Sequence, residues 1–114
     1  MSFMLTTEQA RNKIKDVTRR NGWWFLKPGD IVQQVEKCRG LKKGEKVKKI
    51  HLIRIVFARP ELLQCMIDDP EYGLEECRRE GFPDTAPQEF VDFCCRHNKV
   101  HPDESINRIE VEYL

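Results

Sequence analysis

The segment KDVTRR, residues 15–20, places an amine, a hydroxyl and two guanidinium groups within six positions. A threonine hydroxyl attacks an amide only after a base removes its proton, and a neutral lysine amine can be that base. Burial or neighbouring cations favour the neutral amine. Lys15, Thr18 and Arg20 are therefore candidates for a site in which the threonine hydroxyl is a nucleophile or a hydrogen-bonding group, and in which Arg20 recognises a phosphate or a carbonyl oxygen. Charged residues of this kind could also bind an anion without catalysis.

The strand geometry of this segment sets a condition on the site. In an extended chain Thr18 and Arg20 lie on the same face, whereas Lys15 is out of phase with them. Lys15 would reach Thr18 only if the chain bends or forms a bulge near Asp16. The Asp16 carboxylate could also keep the lysine charged, which would impair it as a base.

Two tryptophans follow the arginines after a short Asn-Gly step. Aromatic rings stack on the bases of single-stranded nucleic acid, and arginines bind phosphate. The candidate substrate-binding residues are therefore Arg19, Arg20, Trp23 and Trp24. Because adjacent side chains of an extended stretch point to opposite faces, we expect one indole to pack in the core and the other to be available.

A second cationic segment lies between residues 37 and 49, where two glycines accompany seven cations and one anion. The glycines and the weak hydrophobic periodicity predict a protruding hairpin loop. This charge bias exceeds what solubility needs, so the basic loop is either a phosphate-contacting arm or a solvated hairpin. Its candidate nucleic-acid-binding residues are Lys42, Lys43, Lys46 and Lys48.

The net charge of +1 hides an asymmetry along the chain. Residues 1–60 carry 15 Lys and Arg against 5 Asp and Glu, whereas residues 61–114 carry 5 against 14. The cationic half would attract a polyanion if the two halves occupy different faces of the fold. Alternatively, the two halves pair with each other.

The composition, 39% hydrophobic and 34% charged, is that of a single globular domain over residues 1–114. No apolar run approaches the roughly 20 residues that span a bilayer. No secretory signal is visible, so we expect a cytoplasmic protein without a membrane partner. The five cysteines include no CxxC pair and are predicted to be free thiols. Cys94, His97 and His101 lack a suitably spaced fourth ligand, so neither a metal nor a cofactor is expected.

Apolar alternation and β-branched residues predict four strands. The run IHLIRIVFA has apolar residues on both faces, as expected of a buried central strand. Alternation of Ile109, Val111 and Tyr113 predicts a half-buried terminal strand. The other two strands are DVTRR and the segment after the KPGD turn, with Ile31, Gln33 and Val35 on one face.

Capping residues predict three helices. Capping boxes that begin at Thr6 and Thr85 predict one helix over 7–13 and another after residue 85. A third helix is predicted to begin at Pro70, with Asp69 as its N-cap. Gly81 is typical of the residue at which such a helix ends. The predicted apolar stripe of the helix after residue 85 is Phe90, Phe93, Cys94 and His97. This order of elements indicates an α+β fold, either a mixed barrel or an open sheet.

Four segments carry a resemblance to a known family: LTTEQARNKIKDVTRR, GWWFLKPGDIVQQVEKCRGLKKGEKVKKI, RREGFPDTAPQEFVDFCC and INRIEVEYL. Together they cover most of the chain in the expected order and resemble the ASCH domain family. The resemblance implies a PUA-like mixed β-barrel with flanking short helices, and a cleft lined by a Lys-x-x-(Thr/Glu)-x-Arg signature. In this sequence the signature falls on Lys15, Thr18 and Arg20.

The ASCH family is thought to act on RNA or modified nucleosides, and its small bacterial members include amidohydrolases that deacetylate 4-acetylcytidine. Matched along the chain, the lysine, threonine and glutamate of those enzymes fall on Lys15, Thr18 and Glu80. Glu80 also has a signal of its own, because a carboxylate in the last turn of a helix opposes the macrodipole. The chain departs from the family pattern at Lys13, where glycine is usual, and at Asp16, where threonine is usual.

The resemblance therefore implies a small amidohydrolase that acts on an acylated nucleobase amide, with a modified nucleoside or RNA as its partner. The alternative is a non-catalytic RNA-binding module that uses the basic loop and a tryptophan. A ribonuclease ranks below both, because no pair of histidines is evident in the cationic cleft. The oligomeric state stays open, a monomer included.

Overall fold

The computed structural model describes residues 1–37 and 41–114. Residues 38–40 of the predicted basic loop therefore lie outside the described residues. The elements follow one another as a 3-10 helix (Met4–Thr6), α1 (Thr7–Arg11), β1 (Val17–Arg20), β2 (Ile31–Val35), β3 (Lys49–Leu62), α2 (Gln64–Asp68), α3 (Pro70–Arg79), α4 (Pro87–Asn98) and β4 (Ser105–Tyr113).

The four strands form one antiparallel sheet that curls into a half-barrel. Its strand order is β1-β4-β3-β2, so the last strand of the chain lies between the first and the third. Thr18 lies opposite Ile109, and Arg19 lies opposite Arg108. Short helices accompany the sheet, and the α+β class predicted from the sequence is confirmed.

Apolar side chains pack on both faces of this sheet. One buried cluster joins β3 and β4 to the N-terminal segment: Phe3, Ala10, Leu26, Ile53, Ile55, Ile109 and Val111. The other joins Ile106 to the helices: Leu63, Met66, Cys77, Phe90, Val91, Cys94 and Val100. Ile106 and Ile109 are an odd number of residues apart, so they point to opposite faces. We call the face that bears Ile109 the inner face, and the face that bears Ile106 the helical face.

The prediction that β3 is buried on both faces is wrong. Ile53 and Ile55 are buried on the inner face, but Leu52, Val56 and Phe57 are exposed, by 41–48%. Apolar residues on both faces of a strand require cover on both sides. The helices cover the sheet around Ile106 and leave this part of the helical face open.

α3 begins and ends as its sequence predicts. Asp69 accepts a hydrogen bond from the backbone N–H of Tyr72 at 3.3 Å, and Pro70 is the first helical residue. Gly81 follows the helix with a φ of 94°, a conformation that favours glycine. The turn passes close to α1, because a Cβ at Gly81 would lie 2.7 Å from the side chain of Gln9.

α4 departs from its prediction at the cap and along its stripe. Ala86 is the N-cap and Pro87 the first residue, so the capping box predicted at Thr85 is wrong. Proline at the first helical position has no N–H, so no acceptor is needed for it there. His97 is exposed and stacks on Phe93 with ring centroids 6.0 Å apart, so it lies outside the buried stripe. The buried residues of the helix are Phe90, Val91 and Cys94.

Three smaller differences concern the ends and the alternation of elements. α1 ends at Arg11 rather than residue 13, and Lys13 has a positive φ of 59°. The pairing of β2 shifts between Gln33 and Val35, so Gln34 and Val35 are both buried and the predicted alternation fails. The short α2 was not predicted.

In the described part of the chain, no helix is long and apolar enough to cross a membrane.

Candidate active site

Lys15 and Glu80, 65 residues apart in the chain, are in direct contact. The Lys15 ammonium donates to Oε1 of Glu80 at 2.6 Å and to the backbone carbonyl of the same residue at 2.9 Å. Both side chains are almost fully buried, with 5% and 3% exposed. Two of the three residues that the resemblance assigns to catalysis therefore meet as a buried ion pair.

Backbone contacts hold this pair in place. Glu80 caps the C-terminus of α3, and the preceding Arg79 accepts a hydrogen bond from the amide of Asp16 at 2.9 Å. The hydroxyl of Tyr113 in β4 donates to the carbonyl of Lys15 at 2.6 Å. The segment before β1 is thus tied to both the helix and the neighbouring strand.

Arg19 binds the same carboxylate from β1. It donates through Nη1 to Oε2 of Glu80 at 2.9 Å, and through Nη2 to Glu76 at 2.5 Å and Glu61 at 2.7 Å. Its side chain is fully buried. The guanidinium of this predicted substrate-binding residue therefore lies under α3, among three carboxylates.

Arg108 lies opposite Arg19 on β4 and shares Glu76 with it. Its Nε donates to Oε1 of Glu76 at 2.5 Å and its Nη2 donates to Oε2 at 3.1 Å. The hydroxyl of Tyr72 donates to Glu61 at 2.6 Å and lies 3.0 Å from Oε1 of Glu76. We call this group the buried charge cluster: Lys15, Arg19, Arg108, Glu61, Glu76, Glu80 and Tyr72. Its three cations balance its three carboxylates.

Charge pairing shifts pKa values inside the cluster. Burial alone would raise the pKa of Glu76, but the hydrogen bond from Arg108 and the charge of Arg19 outweigh it and lower the pKa to about 2. Burial would lower the pKa of Arg19, yet the charges of Glu80 and Glu76 raise it. Burial and a hydrogen bond to a carboxylate raise the pKa of Tyr72 to about 12. Glu76 and Arg19 therefore stay charged near neutral pH.

Thr18 points to the inner face together with Arg20. Its Oγ1 accepts a hydrogen bond from Nε of Arg20 at 3.2 Å. Arg20 also donates to the carbonyl of Ser2 at 2.7 Å, and its guanidinium lies 4.7 Å from the ring centroid of Phe3. The two predicted site residues of β1 that share a face are thus in contact.

No hydrogen bond joins Thr18 to Lys15 or Glu80 in the described part of the chain. Lys15 instead binds the carboxylate that Arg19 binds, so it is in phase with Arg19 and out of phase with Thr18. The spacing along β1 predicts this mismatch. The bend that would bring Lys15 to Thr18 is not formed.

Asp16 does not pair with Lys15. Its carboxylate accepts two hydrogen bonds from Arg79, at 3.1 and 3.2 Å, and Arg79 also pairs with Glu110 at 3.0 Å. Asp16 therefore connects the start of β1 to the end of α3.

Trp23 packs partly against the inner cluster, whereas Trp24 is 51% exposed. The expectation of one packed and one available indole is confirmed. Its premise of an extended stretch is wrong, because Trp23 has a φ of 58°. Asn107 holds this turn by donating to the carbonyls of Gly22 and Trp23, both at 3.0 Å.

The described part of the basic loop covers residues 41–49 and includes all four candidate lysines, which are all exposed. The amide of Glu45 donates to the carbonyl of Lys42 at 2.9 Å, which forms a turn at the tip. Glu45 also pairs with Lys37 at 3.4 Å. The loop and the N-terminal segment enclose a groove of about 350 Å³, whose lining includes Lys46 and Lys48.

A second groove, of about 390 Å³, lies along α4 and is lined by Phe82, Phe90 and Phe93 together with polar residues. Neither groove is lined by Lys15, Thr18 or Glu80. The three catalytic candidates are instead covered by the surrounding protein.

The cysteines Cys65, Cys77, Cys94 and Cys95 are free thiols, as predicted for the described positions. Burial raises the pKa of Cys77 to about 11, so this thiol stays protonated near neutral pH. Within the described ranges, no group of three or more His, Cys, Asp or Glu side chains is arranged so that it could hold a metal ion.

Sequence reasoning missed the larger part of the charge cluster: Glu61, Glu76, Arg108 and Tyr72. One local signal was present, since Glu76 and Glu80 are four residues apart and lie on the same side of α3. Glu76 and Glu80 lie on the side of α3 that also buries Cys77. A buried carboxylate needs a charged partner, so these two glutamates indicate cations on the sheet below the helix. Nothing local identifies Arg108 as that partner.

No protein-family model, no curated protein and no solved structure matches this chain.

Proposed function

We propose that the chain is a cytoplasmic amidohydrolase of the ASCH type, with a PUA-like fold, that deacetylates 4-acetylcytidine-type substrates. The contact between Lys15 and Glu80 carries this proposal. The resemblance assigns both residues to one site although 65 positions separate them, and they form a buried ion pair. The curled antiparallel sheet with short helices is compatible with a PUA-like barrel.

The 2.6 Å hydrogen bond between Nζ of Lys15 and Oε1 of Glu80 provides a path for one proton. Transfer of that proton to the carboxylate leaves a neutral amine on Lys15 and a neutral acid on Glu80. Lys15 would thereby become a base.

Thr18 would be the nucleophile. Lys15 removes the hydroxyl proton as Oγ1 attacks the acetyl carbonyl, and negative charge develops on the carbonyl oxygen. Arg20, whose Nε contacts Oγ1, is the nearby cation that would stabilise this charge. The bond from the carbonyl carbon to the exocyclic nitrogen then breaks, and Lys15 passes its proton to that nitrogen. The acetyl group stays on Thr18 as an ester.

Water completes the cycle. Lys15 removes a proton from a water molecule that attacks the ester, the bond to Oγ1 breaks, and the proton returns to Thr18. One water is consumed for each cytosine amine and acetic acid released. Lys15 is out of phase with Thr18, so these steps require the chain to bend near Asp16 when substrate binds. Substrate access also requires the residues that cover the buried pair to move.

The role of Thr18 is tested by comparing Thr18→Val with Thr18→Ser. Valine nearly matches threonine in shape and lacks the hydroxyl, whereas serine keeps it. We expect the wild-type protein to convert 4-acetylcytidine to cytidine, the serine variant to retain part of the turnover, and the valine variant to lose it. Chromatography measures the cytidine, and circular dichroism checks folding. Undiminished turnover in a folded Thr18→Val protein would remove the nucleophile assignment.

RNA binding without catalysis is the second candidate function. The observation that favours it is the exposure of all four candidate lysines in a loop whose described part holds one glutamate. Lysines that neutralise phosphates release counterions, so binding would weaken steeply as salt is raised. The exposed ring of Trp24 offers a surface on which a base could stack.

A further inference from the structure

The groove beside the basic loop is lined by both cationic and apolar side chains. Lys46 and Lys48 line it from the loop, and Met4 lines it from the N-terminal segment. Leu41 lines it as well, and the side chain of Met4 is largely exposed. The groove therefore offers a phosphate a positive surface and a base an apolar one.

Both acidic residues of the groove already have cationic partners. Glu36 pairs with Arg11 of α1, and Glu45 pairs with Lys37 at 3.4 Å. Among the residues that the structure describes, no carboxylate lies within ion-pair distance of Lys46 or Lys48. The charge that these two lysines present to the groove is thus not neutralised from within the protein.

A backbone hydrogen bond anchors the loop at Lys48. The amide of Glu36 donates to the carbonyl of Lys48 at 2.9 Å, which attaches the end of the loop to the strand that precedes it. Lys46 and Lys48 are two residues apart and line the same groove. Lys42 and Lys43, in the same loop, do not line it.

We infer that this groove binds one nucleotide unit of single-stranded RNA, with the phosphate on Lys46 and Lys48 and the base against Met4 and Leu41. The volume of about 350 Å³ lies within the range of small-ligand sites. Methionine makes favourable contacts with aromatic rings. This site deepens the second function proposed above, RNA binding, and is separate from the buried charge cluster.

Two double variants test the site with matched changes in charge. Lys46→Gln/Lys48→Gln and Lys42→Gln/Lys43→Gln each remove two cations from the same exposed loop. Binding of a fluorescently labelled oligouridylate is followed by anisotropy over a series of salt concentrations. The groove variant should bind about tenfold more weakly than the wild type, with a salt slope reduced by about 0.7, because the neutralisation of one phosphate is lost. The control variant should lose less of both.

A substitution that leaves the charge unchanged separates the contribution of the apolar side chains to binding from that of the lysines. Met4→Ala should weaken oligouridylate binding several-fold and leave the salt slope unchanged, because the base loses its contact while the phosphate contacts remain. Equal losses in the two double variants, or an unchanged affinity in Met4→Ala, would overturn the groove while RNA binding itself stands. A wild-type protein that does not bind oligouridylate would overturn RNA binding and the groove together.

Discussion

Arg19 and Arg108 lie opposite each other on β1 and β4, and both donate to the same oxygen of Glu76, each at 2.5 Å. Like charges directly opposite each other on neighbouring strands repel. Glu76 comes from α3, so one carboxylate both separates the two cations and attaches the helix to the sheet. Glu80 is the C-cap of the same helix.

Glu76→Gln should therefore destabilise the protein strongly. The variant keeps the shape of the side chain but leaves two buried guanidinium groups with one carboxylate fewer, and breaking a buried ion pair costs about 3–5 kcal/mol. Glu75→Gln is the control, since it changes the neighbouring residue of the same helix and removes a surface pair with Arg78. We expect no measurable change there. Urea unfolding gives both values, and equal effects would contradict a special role for Glu76.

The pH dependence of stability should show the depressed pKa of Glu76. Its pKa lies at about 2 in the folded protein against an ordinary 4.5, so its contribution is complete above pH 4.5 and is lost as the pH falls toward 2. The shift corresponds to about 3 kcal/mol. The difference in unfolding free energy between the wild type and Glu76→Gln should narrow over that interval. A difference that stays constant down to about pH 2 would contradict the assignment.

Gly81→Ala should destabilise the protein more than Gly29→Ala. Both glycines have a φ of 94°, so alanine is strained at either position. At Gly81 the new Cβ would also lie 2.7 Å from the side chain of Gln9, whereas at Gly29 nothing lies within 4 Å. Thermal unfolding of the two variants isolates the cost of that contact. Equal melting temperatures would show that the turn after Glu80 is not packed against α1.

Asp16→Asn should leave any activity of Lys15 unchanged. The Asp16 carboxylate binds Arg79 and does not pair with Lys15, so its charge is not what holds the amine. The lost pair is partly exposed, and we expect a cost of about 1 kcal/mol or less. Turnover and unfolding measured on the same preparation check both statements. A large gain in turnover would show that Asp16 restrains Lys15.

Local signals in the sequence were sufficient where one residue determines the backbone. Asp69, Pro70 and Gly81 define the ends of α3 through a side-chain hydrogen bond, a fixed dihedral and a positive φ. The cap predicted at Thr85 failed because Pro87 starts α4 directly after Ala86. A proline that begins a helix thus outweighed a nearby capping box.

Features that depend on distant parts of the chain could not be predicted from local pattern. Whether Phe57 is buried depends on how far the helices extend over the sheet. The pattern of apolar residues in β3 carries no information about that extent. Glu76 binds both Arg19 and Arg108 only because β1 and β4 pair and place the two arginines opposite each other. The pairing of Lys15 with Glu80 was expected only through the resemblance, although the phase of Lys15 relative to Thr18 followed from the strand period.

The most direct test of the proposed function is the turnover of 4-acetylcytidine by the wild-type protein, Lys15→Met and Glu80→Gln. Methionine fills the space of the lysine without an amine, and glutamine keeps the shape of Glu80 without its charge. We predict that the wild type forms cytidine and that both folded variants are at least about a hundredfold slower, the contribution of a general base. No cytidine from the folded wild type, or an unchanged rate in a folded Lys15→Met protein, would contradict catalysis by the Lys15–Glu80 pair.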